Sequence, residues 1–453
     1  MKKSAAQNKA PVEKVFDRIL TPFEEFIHQE TASGILLMIA AALALVAANS
    51  GLFHAYEQLL HVHVSLGVGD FVIDKTLHHW INDGLMTLFF FVVGLEIKRE
   101  VLVGELADIR QAALPVVAAI GGMVMPALVY FLVAGQTDAA SGWGIPMATD
   151  IAFAVGVMVL LGKRVPKSLL TFLVALAIVD DLGAVAVIAL FYTESLHLGA
   201  LGAAGGFLAL MILFNLGGVR KPVVYFLAGV AMWLAMLESG IHATLAGVLT
   251  ALAIPARSLL DTSHFSERVR ELMDYFDTHE EPGASIMRNP QQNSALQTLE
   301  NGVHLVETPL QRLEHNLHIP VAFLVIPIFA FANAGVPIEA SSMAQTLTHP
   351  VALGVILGLL AGKVLGIAGF SYIALKLGIG QLPEGTRMPQ LIGVGLLGGI
   401  GFTMSIFITE LAFGNQEEYL LMAKTGILVA SMVAGVGGYL WLLATSRPLR
   451  EDG

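Results

Sequence analysis

The chain has 453 residues, of which 55% are hydrophobic and only 13% charged, and its mean hydropathy is +0.72. Soluble domains carry about 25% charged residues, so this composition excludes an ordinary soluble domain and indicates a membrane protein with many spans. Cysteine is absent, which excludes disulfide frameworks and thiolate chemistry, and the net charge of −11 belongs to the loops and gives no reason to expect nucleic acid.

The predicted elements start with a cytoplasmic extension, residues 1–32, in which apolar residues between positions 12 and 27 recur at helical spacing. This spacing predicts an amphipathic helix on the membrane surface. Twelve apolar segments follow, centred near residues 42, 90, 123, 151, 180, 208, 229, 247, 327, 363, 402 and 432. We interpret each of them as a transmembrane helix.

The twelve segments form two blocks. Segments one to eight occupy residues 33–256 and include a stretch at about 61–75 whose alternating pattern predicts a β-hairpin. Segments nine to twelve occupy residues 319–444, and residues 445–453 form a tail. Residues 257–318 form a long loop between the blocks, in which apolar residues from Leu296 to Leu317 recur in steps of three and four. We interpret this run as a surface helix rather than a coiled coil.

The basic residues indicate the orientation of the chain. Of 25 Lys and Arg residues, 22 lie in the two terminal regions or in alternate loops. Because cytoplasmic loops carry an excess of Lys and Arg, both termini and the long loop are predicted to be cytoplasmic. The exceptions are Lys75 and Lys424, which the pattern places in the opposite loops, and Lys363, which lies inside the tenth segment.

Two adjacent carboxylates, Asp180 and Asp181, lie near the centre of the uncharged apolar stretch 168–192. One carboxylate at the middle of a membrane helix costs about 2.5–3.5 kcal/mol on insertion scales. Successive helix residues point about 100° apart, so one carboxylate is expected to face a neighbouring helix and the other a water-filled cavity. The pair indicates a site for cations or protons; the alternative is a pair of packing carboxylates satisfied by hydrogen bonds.

Lys363 lies at the middle of the tenth segment, too far from either end to reach the headgroups easily. A buried ammonium needs a counter-charge, and the candidates are Asp150, Asp180 and Asp181. If a cation binds to that carboxylate, the ammonium holds its proton less tightly, so Lys363 could release a proton when the cation binds.

Two segments are predicted to be interrupted at the midplane. Asp150 lies midway along a segment that Pro146 and Gly156 are predicted to break, and the eleventh segment carries five glycines between positions 393 and 401. Paired interrupted helices are typical of transporter sites, and the positive ends of half-helices favour a nearby anion such as Asp150. That the glycines only permit close helix packing remains an alternative for the eleventh segment.

Polar clusters mark the predicted cytoplasmic ends of segments two and nine. Such clusters are commonly solvated helix ends, and their functional interpretation is an ion funnel or a pH sensor. Their members are Glu96, Lys98, Arg99, Glu100, Glu314, His315 and His318. His242, near the external end of segment eight, is typical of a structural histidine.

Two further patterns carry little weight. The string GVGD at 67–70 matches the signature of intramembrane aspartyl proteases but lies in a predicted polar loop. His61, His63, His78 and His79 have no spacing that is diagnostic of a metal site. An intramembrane aspartyl hydrolase also needs its carboxylates on two facing helices, whereas the strongest pair here is adjacent.

Six strings resemble the NhaA-type bacterial sodium/proton antiporters, in order and over most of the chain. They are VGLEIKRE at 93–100, ATDIAFA at 148–154, AIVDDLGA at 177–184, FAFANAG at 329–335, GK at 362–363 and GIGFTMS at 399–405. The resemblance implies an all-α polytopic membrane protein with twelve transmembrane helices. Helices three to five and ten to twelve would form inverted-topology repeats, with helices four and eleven interrupted and crossing. A small extracytoplasmic β-hairpin would support a homodimer.

The resemblance also implies roles for single residues. Asp180 and Asp181 would bind Na⁺ or Li⁺ and H⁺ alternately, with Asp181 as the principal cation ligand and Asp180 as the partner of Lys363. Thr149 would belong to the same site, and Asp150 and Lys363 would balance the half-helix ends. Further residues match positions linked to ion access or pH response: Asp83, Glu96, Arg99, Glu100, His242, Glu314, His315 and His318.

The predicted function is therefore pH-regulated, electrogenic exchange of Na⁺ or Li⁺ for H⁺ across the bacterial inner membrane. No cofactor and no enzymatic activity are expected, and the expected partners are the ions, membrane lipid and a second copy of the chain. One alternative is a transporter of the same fold for another cation. The other is the intramembrane hydrolase, for which a midplane Lys363 has no role.

Overall fold

The structure is a computed structural model that describes residues 30–68, 71–193, 196–257, 262–279, 289–338, 341 and 343–446. The predicted N-terminal amphipathic helix and most of the predicted C-terminal tail lie outside these residues. The first helices are α1 (Glu30–Ala48), α2 (Phe53–Leu60), α3 (Met86–Val103), α4 (Ile109–Ala134), α5 (Ile151–Val159) and α6 (Lys167–Phe191). The next are α7 (Leu198–Leu216), α8 (Pro222–Leu237), α9 (Leu245–Ala253), α10 (Thr262–Thr278) and α11 (Pro290–Val306). The last are α12 (Pro309–Asn333), α13 (Met343–Thr348), α14 (Pro350–Lys376), α15 (Met388–Gly398), α16 (Phe402–Phe413) and α17 (Glu417–Thr445).

The predicted β-hairpin is confirmed as two antiparallel strands, β1 (His63–Val68) and β2 (Phe71–Thr76). The register pairs His63 with Thr76 at the open end. Thr76 then caps the helical turn Leu77–His79, because its hydroxyl oxygen accepts a hydrogen bond from the His79 N–H at 3.3 Å. A π-helical turn, Trp80–Leu85, joins this turn to α3.

The described residues contain seven helices that are long and apolar enough to cross a membrane, or up to nine if each of two bent pairs is one span. One bent pair is α15 with α16, whose axes differ by 47°. This result fits a polytopic membrane protein, whereas the number twelve stays a prediction. Of the predicted spans, α8 has only 16 residues and α9 only nine, and α3 carries four charged residues at its end.

The chain divides into two compact units, of which the first comprises Met1–Phe89, Glu100–Glu194 and Ile319–Gly453. In its described part, two groups of three segments each consist of a long helix, an interrupted segment and another long helix. The first group is α4, the segment Ala140–Val159 and α6; the second is α14, the pair α15 and α16, and α17. Helix α4 packs against α6, α14 and the 3₁₀ turns Ala140–Met147, and α17 packs against α14, α15 and α16.

Helices α4 and α14 approach each other backbone to backbone at Gly121 and Gly366. A Cβ atom at Gly366 would lie 2.1 Å from the Gly121 carbonyl oxygen, and one at Gly121 would lie 2.4 Å from the Gly366 oxygen. Small residues permit this distance, since no side chain separates the two backbones. The contact supports the part of α14 that carries Lys363.

We expect Gly366→Ala to destabilise the protein by about 1–3 kcal/mol, because the added methyl group forces two packed backbones apart. Gly369→Ala is the matched control on the same helix, since a Cβ atom there meets no atom within 4 Å. Thermal unfolding of the purified proteins in detergent measures both. Equal unfolding temperatures for the two variants would contradict the predicted loss of stability in Gly366→Ala.

The second unit comprises Phe90–Arg99 and Ser195–His318. Helices α7, α8 and α9 pack around a core in which Leu95, Met211, Tyr225 and Met232 are fully buried. Helices α10 and α11 pack against each other, and the periodic run from Leu296 to Leu317 occupies α11 and the start of α12. The part of the predicted loop that the structure describes is therefore largely helical.

Candidate functional site

Both predicted interruptions are present in the first unit. The 3₁₀ turns end at Met147 and α5 begins at Ile151, with Asp150 as its N-cap residue in extended conformation. In the other segment α15 ends at Gly398 and α16 begins at Phe402. Gly156, which the sequence suggested as a second break, lies inside α5, because an isolated glycine weakens a helix without ending it.

The two interruptions meet at Asp150. Its Oδ1 accepts the Phe153 N–H of α5 at 3.0 Å. Its Oδ2 accepts the N–H and the hydroxyl of Thr403 in α16, at 3.1 and 2.6 Å. The Asp150 N–H donates to the Ile400 carbonyl oxygen at 2.7 Å. One carboxylate therefore satisfies donors at two helix N-termini, where the helix dipoles favour a negative charge.

A buried ion pair lies next to this junction. The Lys363 Nζ of α14 donates to Asp180 Oδ2 of α6 at 2.7 Å, and both side chains are 0% exposed. Of the three candidate counter-charges, Asp180 is the direct partner. The interaction is strong because little solvent screens two charges at this depth.

Asp181 is buried beside this pair and interacts electrostatically with Lys363. Thr149 also lies against Asp180, and its hydroxyl donates to the Gly398 carbonyl oxygen at 2.9 Å. The site therefore joins three carboxylates, one ammonium and the backbone groups of two helix breaks.

The glycines of the eleventh segment have a packing role as well. A Cβ atom at Gly399 would lie 2.3 Å from the Leu359 carbonyl oxygen, and one at Gly401 would lie 3.1 Å from the Ala148 oxygen. These glycines therefore lie at the break and also let the backbone of α14 approach it.

Two π-helical turns, Gly358–Gly362 and Leu365–Gly369, flank Lys363. Such turns are rare and often lie at functional sites. Neither turn was predicted from the sequence, in which the glycines of α14 are the available signal.

The arrangement suits a small hard cation. Carboxylate, hydroxyl and carbonyl oxygens are the ligands that such cations take in proteins. With all groups ionised, Asp150, Asp180, Asp181 and Lys363 carry a net charge of about −2, which a bound cation or bound protons would reduce. A carboxylate oxygen that holds a proton is a poor cation ligand, so cation and proton compete for it.

The residues predicted for ion access or pH response are divided between the two units. In the second unit, the Arg99 Nε donates to Glu314 Oε1 at 2.8 Å, and His315 and His318 are exposed. His242 Nδ1 lies 2.7 Å from the hydroxyl oxygen of Thr244. Of their neighbours, Lys98 donates to the Leu252 and Ile254 carbonyl oxygens at the end of α9, where the helix dipole favours a cation. Glu96 is half-buried.

Glu100 and Asp83 belong to the first unit. Glu100 is buried and accepts the N–H of Glu105 at 3.0 Å. Asp83 lies half-buried in the π-helical turn before α3, and its carbonyl oxygen accepts the Thr87 hydroxyl. Neither geometry by itself assigns a function.

A second polar cluster in the first unit escaped the sequence analysis. It consists of His78, Asn82, Asn333, Glu410 and Lys424. The predicted loop position of Lys424 is wrong: the residue lies on α17, 9% exposed, with its Nζ 2.5 Å from Glu410 Oε1. A single charge near the end of an apolar segment looks like a loop residue in sequence, and only the facing helix reveals its partner.

Many apolar helices, two interrupted segments that meet, and a buried ion pair at the junction together define an ion-translocating membrane transporter. The family model described as Na+/H+ antiporter 1 matches residues 24–442, and the chain belongs to this family.

The relatives of the chain are also named as Na(+)/H(+) antiporters. It is 57% identical to the Na(+)/H(+) antiporter NhaA 1 of Saccharophagus degradans, over 95% of this chain and 93% of that protein. It is 52% identical to the Na(+)/H(+) antiporter NhaA of Sulfurimonas denitrificans, over 96% of this chain and 97% of that one. It is 50% identical to the Na(+)/H(+) antiporter NhaA of Syntrophobacter fumaroxidans, over 98% of this chain and 94% of that protein. The resemblance to NhaA-type antiporters is thereby confirmed.

Proposed function

We propose that the protein exchanges Na⁺ or Li⁺ for H⁺ across the bacterial inner membrane and that Asp180 and Asp181 carry both ions in turn. It is a transporter of the Na⁺/H⁺ antiporter family rather than an enzyme. The observation that carries the proposal is the buried Asp180–Lys363 pair beside Asp181, at the junction of two helix breaks. A buried acidic site in spanning helices is costly unless it binds cations or protons.

Competition for the carboxylates couples the two ions. Asp181 is the principal cation ligand, supported by its burial beside Asp180 and by its electrostatic interaction with Lys363. At alkaline pH the carboxylates are ionised and accept Na⁺ from the cytoplasm, and protons from outside then displace it. A cation that draws Asp180 away from Lys363 leaves the ammonium without its partner, which favours loss of its proton.

The orientation and the repeats follow from charge and connectivity. We place both termini and the loop 257–318 in the cytoplasm, because 22 of the 25 basic residues lie in the terminal regions and in the alternate loops that include it. The two groups of three segments, each with an interrupted middle segment, support inverted repeats within a twelve-helix fold. The β-hairpin then lies outside, where its exposed apolar residues Leu66 and Val72 support contact with a second copy.

Exchange of more than one proton per cation would move net charge, so that the membrane potential would drive transport. For pH regulation, the Arg99–Glu314 ion pair and the exposed His315 and His318 are the candidate groups of the second unit. The ion pair gives both histidines a charged neighbour, Glu314, on the same helix.

The proposal is tested by the collapse of a pH gradient in everted membrane vesicles on addition of NaCl, LiCl or KCl, from mildly acidic to alkaline pH. We expect Na⁺ and Li⁺ to collapse the gradient, more strongly at alkaline pH, and K⁺ to have little effect. Asp181→Asn is expected to abolish the response, because a neutral amide neither binds a proton nor compensates a cation.

Asp138→Asn is the matched control, since Asp138 lies in the short connection between α4 and the interrupted segment. Exchange that survives Asp181→Asn would refute the assigned ligand. A response to K⁺ alone would favour the second candidate, a transporter of the same fold for another cation.

A further inference from the structure

The second polar cluster joins four elements of the first unit. His78 belongs to the turn Leu77–His79, Asn333 ends α12, and Glu410 and Lys424 lie on α16 and α17. Helix α16 starts at the midplane junction, where Thr403 contacts Asp150, and it carries Glu410 seven residues further along. A change at Glu410 therefore acts on the helix that contacts Asp150. At 1.5 Å per residue this separation is about 10 Å along the helix.

Neutral His78 fits the cluster. Its Nε2 lies 3.0 Å from Asn333 Oδ1, to which the Nε2–H tautomer donates a hydrogen bond. Asn333 is held in turn, because its Nδ2 donates to Asn82 Oδ1 at 2.8 Å and to the Phe329 carbonyl oxygen at 3.0 Å. These bonds connect the region beside the β-hairpin to the end of α12.

Protonated His78 fits the cluster poorly. Glu410 Oε1 is 2.5 Å from the Lys424 Nζ but 3.9 Å from His78 Nε2, so the carboxylate is already compensated by the lysine. A proton on His78 would therefore add a second positive charge to one carboxylate. The side chains of His78, Glu410 and Lys424 are only 26%, 13% and 11% exposed, so solvent screens this excess charge weakly.

Among the residues that the structure describes, the other titratable groups that act on His78 or Glu410 do not compensate such a charge. His79 adds a repulsive interaction with a protonated His78, and Tyr56 of α2 interacts with Glu410 while its hydroxyl donates to the Phe331 and Ala332 carbonyl oxygens. Burial lowers the pKa of the His78 imidazole, although the Glu410 carboxylate acts in the opposite direction. The protonated form is thus disfavoured in the packed arrangement.

We propose that His78, Glu410 and Lys424 form a proton-binding latch on the extracytoplasmic half of the protein, closed while His78 is neutral and opened when a proton from outside binds to it. The sidedness of the latch rests on the orientation proposed above. A low external pH would therefore open the protein at the extracytoplasmic end of α16. This opening would give external protons access to the midplane carboxylates.

The absence of cysteine permits a direct test that does not depend on transport. Ala334 is fully buried beside Asn333, and Ser50 is exposed on the same predicted side. Ala334→Cys and Ser50→Cys are labelled separately with a membrane-impermeant thiol reagent in right-side-out vesicles without Na⁺. The ratio of the two labelling rates removes the intrinsic pH dependence of the thiol.

We expect this ratio to rise several-fold from mildly alkaline to mildly acidic external pH, since a proton that binds more tightly to the open state shifts the equilibrium towards that state. His78→Asn keeps an amide near Asn333 but binds no proton, so it should abolish the rise, whereas His54→Asn, at an exposed position, should not. Lys424→Met leaves Glu410 to compensate a protonated His78, so acid should then lower the ratio.

A ratio that stays constant with pH in the otherwise unaltered protein, or that rises equally in His78→Asn, would overturn the latch. A rise found only in everted vesicles would overturn the proposed orientation and leave the latch intact. Loss of exchange in Asp181→Asn tests the proposed function separately, because the labelling ratio needs no transport.

Discussion

Replacing Lys363 by methionine is expected to lower the stability of the protein by about 3–5 kcal/mol, because it leaves Asp180 as a buried charge without its direct partner. The Asp180–Lys363 pair is held at 2.7 Å with both side chains 0% exposed, so neither group can turn to solvent. The double variant Asp180→Asn/Lys363→Met removes both charges and should recover most of this loss. Thermal unfolding of the purified proteins in detergent, completed as a double-mutant cycle, measures the coupling.

Lys376→Met is the matched control for this cycle, since Lys376 is an exposed lysine on the same helix. Its loss should change stability by no more than about 0.5 kcal/mol. If Lys363→Met were no more damaging than Lys376→Met, the ion pair would contribute little to stability. The double variant should still lack exchange, because the proposed function requires Asp180 and Lys363 to respond to the cation.

Much of the site was predictable because an ionisable residue inside an apolar stretch is visible in the sequence. Asp180, Asp181 and Lys363 could be found in this way, and the glycines near position 399 indicated where a helix would break. Residues that carry an insertion penalty stand out without any knowledge of their neighbours.

The pairing of these residues was not predictable from their spacing, and only the family resemblance implied that Asp180 is the partner of Lys363. Which of three carboxylates contacts Lys363 depends on side-chain direction and helix packing, which spacing alone does not determine. The contact of Asp150 with Thr403 likewise joins residues 253 positions apart. The π-helical turns around Lys363 are equally hidden, because their sequence also fits a regular helix.

The Glu410–Lys424 pair shows the limit of charge patterning. Each residue alone resembles the polar end of an apolar segment, and the division of the chain into apolar segments therefore placed Lys424 in a loop. In the structure the two charges neutralise each other inside the protein, so neither of them marks a boundary. Loop charges and buried pairs are indistinguishable until the facing helix is known.

The interrupted helices should also depend on a single carboxylate. We expect Asp150→Ala to destabilise the protein by about 2–4 kcal/mol, because it removes three hydrogen bonds and the charge that faces two helix N-termini. Asp150→Asn should cost less, since its carbonyl oxygen can still cap α5 while its amide group cannot accept from Thr403. Thermal unfolding in detergent gives the order of the two variants.

Asp108→Ala provides the comparison, because Asp108 caps only α4, on the surface, and accepts a single bond from the Arg110 N–H at 2.9 Å. Loss of one exposed cap typically costs about 1 kcal/mol. An Asp150→Ala protein as stable as Asp108→Ala would mean that each half-helix is held by its own packing. A clearly larger loss would mean that the two breaks are coupled through Asp150, so that a movement of α5 is transmitted to α16.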